Sequence, residues 1–290
     1  MTQPELRFHF GHNWKKFQSR LTDARTDHAR ESIIRLLRRH DLQRQRFLDA
    51  GSGSGLFSLA ARRLGATVTS FDIDPDSVAC TRYLKDREQS SNDDWQVLSG
   101  SILDADLLAT LGMFDVVYSW GVVHHTGRMW EAIERLLTLV DDGGIAVVAI
   151  YNDQGFSSRL WMAIKKLYNR LPGFLRLPYL ITILGWNLLC RATTTAAAML
   201  VRLITLRNPF VPFRRWWNED RGRGMHWWYD FVDWVGGWPF EVAGPGEVFR
   251  FFDDRGFELI NLETTAGSGC NEFVFRRRTA PQLGTDSRAP

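Results

Sequence analysis

Short apolar runs and amphipathic stretches alternate from Arg46 to Tyr151. The runs "RFLDA" (46–50), "TVTSFDI" (67–73), "WQVLSG" (95–100), "FDVVYSW" (114–120) and "GIAVVAIY" (144–151) read as strands of a sheet covered on both faces. Between them, "LFSLAARRLG" closed by Gly65, "PDSVACTRYLKDRE" opened by Pro75, and "MWEAIERLLTLV" read as helices. Ile33, Ile34, Leu36 and Leu37 predict a further helix within residues 16–40, ahead of the first strand. This alternation predicts an α/β fold with a mostly parallel sheet.

After Tyr151 the rhythm stops, and it returns only at "FELINLETT" (257–265) and "NEFVFRR" (271–277). Those two runs, joined by "AGSGC", predict an antiparallel hairpin at one end of the sheet. About a hundred residues separate strand five from strand six, where a crossover needs only a dozen or so. A helical insertion between strands 5 and 6 accounts for the excess.

Composition sets outer limits. The chain has 290 residues, 44% of them hydrophobic, enough for a full core in one large domain with an insertion. Three widely spaced cysteines, none in metal-binding spacing, point to a reducing compartment and away from structural zinc. The start "MTQPELRFHFGHNW" has no apolar signal core, so a cytoplasmic location is expected. Charge is uneven. Residues 158–224 carry 12 Lys and Arg against Glu219 and Asp220, although the whole chain nets only +3. Such asymmetry suggests a partner for that segment.

The first strand leads into Asp49-Ala-Gly51-Ser-Gly53-Ser-Gly55. A dinucleotide fingerprint places its third glycine three residues after the second, but those positions hold Leu56 or Ser58. A phosphate loop needs Gly-Lys-Ser/Thr, which is absent. An acid followed by alternating glycines resembles motif I of the class I S-adenosylmethionine (SAM)-dependent methyltransferases. Their Rossmann-like fold has a seven-stranded, mostly parallel sheet with an antiparallel last strand.

The resemblance covers about residues 47–151 and 246–277 and implies SAM as cofactor, with S-adenosylhomocysteine as product. It divides the chain into an N-terminal helical cap (1–45), a SAM-binding core (46–151), an insertion (152–245), the C-terminal part of the core sheet (246–278) and a disordered tail (279–290). It also implies that Asp49 and the loop glycines Gly51, Gly53 and Gly55 hold the amino-acid end. Asp72, 21 residues after Gly51, would take the ribose hydroxyls, with Ile73 beside it. Asp74 is left to start the helix at Pro75. Near the adenine, Ser101 replaces the family's usual acid, and the Ile102 amide is a second contact. Trp120 either lines the cofactor site or packs in the core. In "FGHNWKKF", Phe10, Asn13 and Trp14 either fold over the cofactor or pack.

A methyl acceptor needs alignment and a base with a pKa near neutrality. "SWGVVHHTG" places His124 and His125 after the fourth strand, at the edge where open α/β sheets bind ligands. Adjacent residues point different ways, so at most one of the two faces the acceptor, with His124 placed ahead of His125. The alternative is that the pair only packs the loop. The loop lacks the Asn/Asp-Pro-Pro-Tyr of base-amino methyltransferases, and no cysteine follows a proline as in cytosine C5 enzymes. The "WGVVHH" loop and the insertion are similar to those of the ubiquinone-biosynthesis O-methyltransferases. Those proteins carry an acidic pair where this chain has Val123 and His124, so no metal is expected. The implied activity is methyl transfer to a small-molecule acceptor, a hydroxyl of a hydrophobic or aromatic metabolite. A lipid or membrane-associated substrate and a non-catalytic SAM-binding scaffold are the alternatives.

Within the insertion, the longest charge-free apolar run is Leu177–Cys190, 14 residues, short of the ~20 that span a bilayer. Three readings stand: a helical lid with solvated arginines, a lid that also touches the membrane periphery through its basic helix, and a nucleic-acid contact. The last has stacking aromatics but no recognisable binding module, so nucleic acid is not expected as a partner. "GMHWWYDFVDWVGGWPFE" (224–241) offers Trp228, Tyr229, Asp230 and Asp233, with Tyr151 from the fifth strand, as a substrate wall; a hydrophobic clasp is the equal alternative. That stretch, with "NDQG" and "GCNEFVFRR", also resembles bacterial methyltransferases of unassigned substrate.

Overall fold

A computed structural model describes residue 8 and residues 23–214, 227–267 and 269–279. Phe10, Asn13, Trp14 and the tail from residue 280 lie outside the described residues. The chain divides into two compact units. A sheet unit holds residues 23–158 and 240–279, and a helical unit holds Arg159–Pro239 with Phe8.

The sheet unit follows the hydrophobic rhythm closely. Its elements are α1 (Asp23–Leu37), β1 (Arg46–Ala50), α2 (Leu56–Arg63), β2 (Thr67–Asp72), α3 (Pro75–Arg87), β3 (Trp95–Ser99), α4 (Ala105–Leu111), β4 (Phe114–Trp120), α5 (Met129–Leu137) and β5 (Val140–Tyr151). Helix α6 (Phe156–Arg170) follows, and the unit resumes with α9 (Pro245–Asp253), β6 (Phe257–Glu263) and β7 (Cys270–Arg277). The seven strands form one sheet in the order β3-β2-β1-β4-β5-β7-β6. Strand β7 runs antiparallel to both β5 and β6, and the remaining pairings are parallel.

Alternation along the strands sorts the core into two layers. Phe47, Val116, Tyr118, Val147 and Val274 face α1 and α2, burying Ile33, Leu36, Leu59 and Ala60. On the other face Leu48, Val117, Val148, Phe273 and Phe275 pack with Leu108 of α4, Ile133 of α5 and Phe252 of α9. Because both faces are covered, the strands need apolar residues at successive positions.

Most strand ends fall within a residue or two of the sequence expectation, and the larger differences lie around β4. Strand β5 begins at Val140, not Gly144, because Val140 pairs with Phe114 across a register shift that absorbs the polar "DDGG". Helix α5 therefore stops at Leu137. Helix α4 was not expected at all; Asp104 caps it by accepting the N–H groups of Asp106 and Leu107, each at 3.1 Å.

The helical unit comprises the rest of α6, the long α7 (Gly173–Ile204) and α8 (Trp227–Gly236). Tyr168, Leu180 and Val235 form its buried centre, with Trp161, Ile164, Trp228 and Trp234 packed around them. Lys165 is also fully buried, 4.2 Å from the centre of the Trp234 ring, and donates to the Trp234 carbonyl. Burial pulls its pKa down to about 7, while Asp233 opposes the shift. Helix α7 is one continuous helix of 32 residues, long and apolar enough by length and composition to cross a membrane.

Candidate functional site at the carboxyl edge of the sheet

The strand order reverses between β1 and β4, and ligands of open α/β sheets bind outside the strand carboxyl ends at such a switch point. The glycine loop occupies that place. Gly51, Gly53 and Gly55 all have positive φ, at 87°, 53° and 78°. At Gly51 space is as restrictive as conformation: a Cβ there would lie 2.4 Å from Cγ1 of Val122. The loop is pinned from behind, since Gly51 and Ser52 both donate to the Phe71 carbonyl and Ser52 shares a 2.9 Å hydrogen bond with Thr81.

Asp72 ends β2 and fastens the loop from the side. One carboxylate oxygen accepts the Gly53 N–H at 2.9 Å and the other accepts the Asp74 N–H at 2.8 Å. A carboxylate has about four lone-pair positions, so these bonds leave capacity for a diol. Burial raises its pKa, and the two amide bonds oppose the rise. Asp74 instead caps α3 through the Asp76 N–H, the helix-start role expected of it. Ile73 is 49% exposed beside this carboxylate.

Asp49 sits deeper, with 3% of its surface exposed. A chain of buried donors ends on it: the Trp95 indole donates to Ser70, Ser70 to Ser58, and Ser58 to Asp49. Burial still dominates and holds the carboxyl up at about 7; the Ser58 bond lowers it and the Asp72 charge adds to the rise. Tyr118 stands opposite Asp49 in the β1–β4 register, and its buried hydroxyl has no hydrogen-bond partner among the described residues. Two positions along β4, Trp120 pairs with Ala149 and Ala149 with Glu272. The Trp120 indole hydrogen-bonds Glu272, whose pKa is raised by burial. Ser58, Ser70, Trp95, Tyr118 and Glu272 were not singled out from the sequence. An inward Ser70 within an apolar strand was the only readable sign.

The remaining cofactor candidates lie along the same edge. Ser101 accepts the Leu103 N–H at 3.1 Å and so shapes the turn into α4. The Ile102 side chain is buried in the core. Trp120 is 39% exposed at the end of β4, its ring 6.0 Å from that of Phe57.

His124 and His125 fall in a short 3-10 turn, Val123–His125. The His124 ring is fully buried, with ring centres at 4.0 Å from Tyr151 and 4.5 Å from His125. His125 is the more exposed of the two. Glu241 clasps this loop: its N–H donates to the His124 carbonyl and its carboxylate accepts the Met129 N–H. The acid of "PFE" thus has a structural task.

Of the proposed substrate wall, Tyr151 belongs to the sheet unit, against His124 and Phe240. Trp228 and Asp233 belong to the helical unit, Trp228 near Phe231 and Asp233 facing the Lys165 charge. The side chains of Tyr229 and Asp230 lie outside the described residues.

An open sheet of this order, with an acid-and-glycine loop at its switch point and a second acid ending β2, defines a Rossmann-like ligand-binding domain of the methyltransferase type. The family described as a methyltransferase domain matches residues 21–262, and the chain belongs to it. Among curated proteins, the ubiquinone biosynthesis O-methyltransferase of Xanthomonas campestris pv. campestris (strain B100) is 35% identical over 107 residues, 37% of this chain and 43% of that protein. Its counterpart in Xanthomonas oryzae pv. oryzae (strain PXO99A) is 34% identical over 114 residues, 39% of this chain and 46% of that protein. The chain thus spans under half the length of the curated relatives it matches. Among solved structures, PKMT2 from Rickettsia typhi superposes with a TM-score of 0.53 at 15% identity, covering 83% of this chain and 50% of that one. Magnesium protoporphyrin IX methyltransferase from Synechocystis PCC 6803, with bound SAH, gives 0.50 at 13% identity, covering 87% and 83%. At such identities the likeness is one of fold.

Proposed function

We propose that this protein is a SAM-dependent methyltransferase acting on a hydroxyl of a small hydrophobic or aromatic metabolite. The observation that carries the reading is the junction of Gly53 with Asp72. One carboxylate both locks the glycine loop and keeps lone pairs open at the switch point. The residues fit the cofactor: Asp72 suits a ribose diol, buried Asp49 suits the ammonium end, and Gly51 leaves no room for a side chain. No phosphate-binding Gly-Lys-Ser/Thr stands in the loop, in keeping with a ligand that has none.

When bound, the cofactor supplies a methyl group on a sulfonium, a good leaving group. The protein's own work is to hold the acceptor and take its proton. His125, at the partly exposed end of the 3-10 turn, is positioned to accept that proton on its imidazole. The His124 and Tyr151 rings pack against it, and Glu241 fixes the loop. The hydroxyl preference is supported by the O-methyltransferase relatives over the region they share.

The test is transfer from methyl-labelled SAM to a panel of phenols, catechols and aromatic acids, followed by mild alkali. Label that survives alkali as an ether supports the hydroxyl reading. Label released as methanol marks a carboxyl acceptor and overturns it, as does cofactor binding with no transfer to any member of the panel. His125→Ala is expected to lower turnover ~10²-fold with cofactor affinity intact.

A further inference from the structure

We propose that α7 is an in-plane anchor that lays one apolar face on an anionic phospholipid bilayer. At 1.5 Å per residue its 32 residues extend roughly 48 Å. Within it only Leu180 is buried, and just 6% of its most apolar stretch is covered by protein. Soluble monomers rarely leave so long an apolar surface open without a partner for it.

The angular distribution of residues says what the partner is. At about 100° per residue, Arg176, Arg191 and Arg202 fall with Leu180 and Asn187 in a sector roughly 80° wide. These are the only charged residues of the helix. The facing sector holds Phe174, Ile181, Leu189, Leu200 and Leu203, each more than half exposed. Charge therefore runs along one side for the whole length of the helix and does not collect at its ends. A spanning helix would carry Arg191 near the bilayer centre, where arginine is strongly disfavoured. A helix lying in the interface keeps all three arginines at headgroup level while its opposite face enters the acyl boundary.

Charge complementarity selects an anionic surface. Residues 159–214 contain nine Lys and Arg and no acid, and Lys166, Arg170 and Arg207 are exposed beyond the helix ends. Juxtaposed cations of this kind bind anionic headgroups within a Debye length. A second copy of the chain would instead bring another wholly basic segment against this one.

Flotation of the full chain with vesicles tests the proposal, using phosphatidylglycerol mixed with phosphatidylcholine against phosphatidylcholine alone. The expected result is binding to the anionic vesicles, weakened at least tenfold by Ile181→Asp/Leu189→Asp, and independently by Leu200→Asp. High salt should weaken it several-fold, and alkaline carbonate should release the protein. Absence of binding to anionic vesicles overturns the proposal, as does binding unchanged in both variants. Concentration-dependent dimerisation that these variants abolish, without vesicle binding, would assign the face to a second copy. Carbonate resistance would mean that the helix crosses the bilayer. The measurement reads no methyl transfer, so its outcome is separate from that of the proposed activity.

Discussion

The loop after β1 and the helix α7 place their side chains by opposite rules. In the loop, three positive-φ glycines, a buried acid and a chain of hydroxyl donors fit together with little spare space. Along α7, leucines, isoleucines and a tryptophan point away from the protein over most of the helix. The first arrangement costs conformational freedom and desolvation, a cost that makes sense where a ligand is to be held. The second leaves hydrophobic stabilisation unrealised until something apolar covers the face. Strain in one region and unspent burial in the other both mark places where the fold expects company.

Four measurements sharpen that contrast or break it. The largest effect is expected at Gly51→Ala, which adds both a left-handed non-glycine residue, costing about 1–2 kcal/mol, and a methyl within the Val122 side chain. S-adenosylhomocysteine affinity by calorimetry should fall ~10²-fold or more, with partial recovery in Gly51→Ala/Val122→Ala. An unchanged affinity would show that the loop tolerates a side chain where the structure leaves none. Asp72→Ala comes next, since it removes the acceptor of two amide bonds as well as a ribose partner. A loss of about 1–3 kcal/mol in cofactor binding is expected, and retained binding would take the ribose role away from this carboxylate.

The third effect is one of pH. Asp49 keeps its proton in the folded protein up to about pH 7, whereas its ordinary value is 3.8. Between those values the folded state binds more protons than the unfolded chain, so this group's contribution to stability declines as pH rises through that window and levels off above it. Asp49→Asn should flatten the decline in thermal midpoint between pH 4 and 7 and raise the midpoint at pH 8. Cofactor affinity should move the other way in the parent protein. An ammonium prefers the ionised carboxylate, so affinity should drop about tenfold per pH unit below 7. A midpoint-against-pH curve identical in the two proteins would place the titration elsewhere. The smallest effect belongs to α7: Leu189→Ala and Leu203→Ala should each shift stability by under ~0.5 kcal/mol in chemical denaturation. Losses of ~2 kcal/mol or more there would mean that the face is already covered by protein.

Much of the fold was legible because its causes are local. Apolar runs of strand length, Pro75 opening a helix and the Asp49–Gly55 spacing are written within a few residues of each other, and all of them reappear in the sheet unit. Helix α4 was also legible in principle, through its Asp104 cap. The start of β5 was not, because "DDGG" reads as a turn and becomes strand only through pairing with Phe114. Within the site, the loop and Asp72 could be named in advance. The roles of Ser58, Ser70, Trp95 and Glu241 could not, since each rests on a partner far away in sequence.

By itself the sequence determined the alternation of strand and helix, the acid-and-glycine loop, the place of the insertion and its positive charge. These follow from spacing, side-chain size and charge, which need no knowledge of distant neighbours. Only the tertiary structure decided that His124 is covered while His125 is more open, and that Asp49 is held near neutral pH. It also decided that the uncharged face of α7 is left open. Burial is a property of what packs around a residue, and that is set by contacts between segments far apart in the chain.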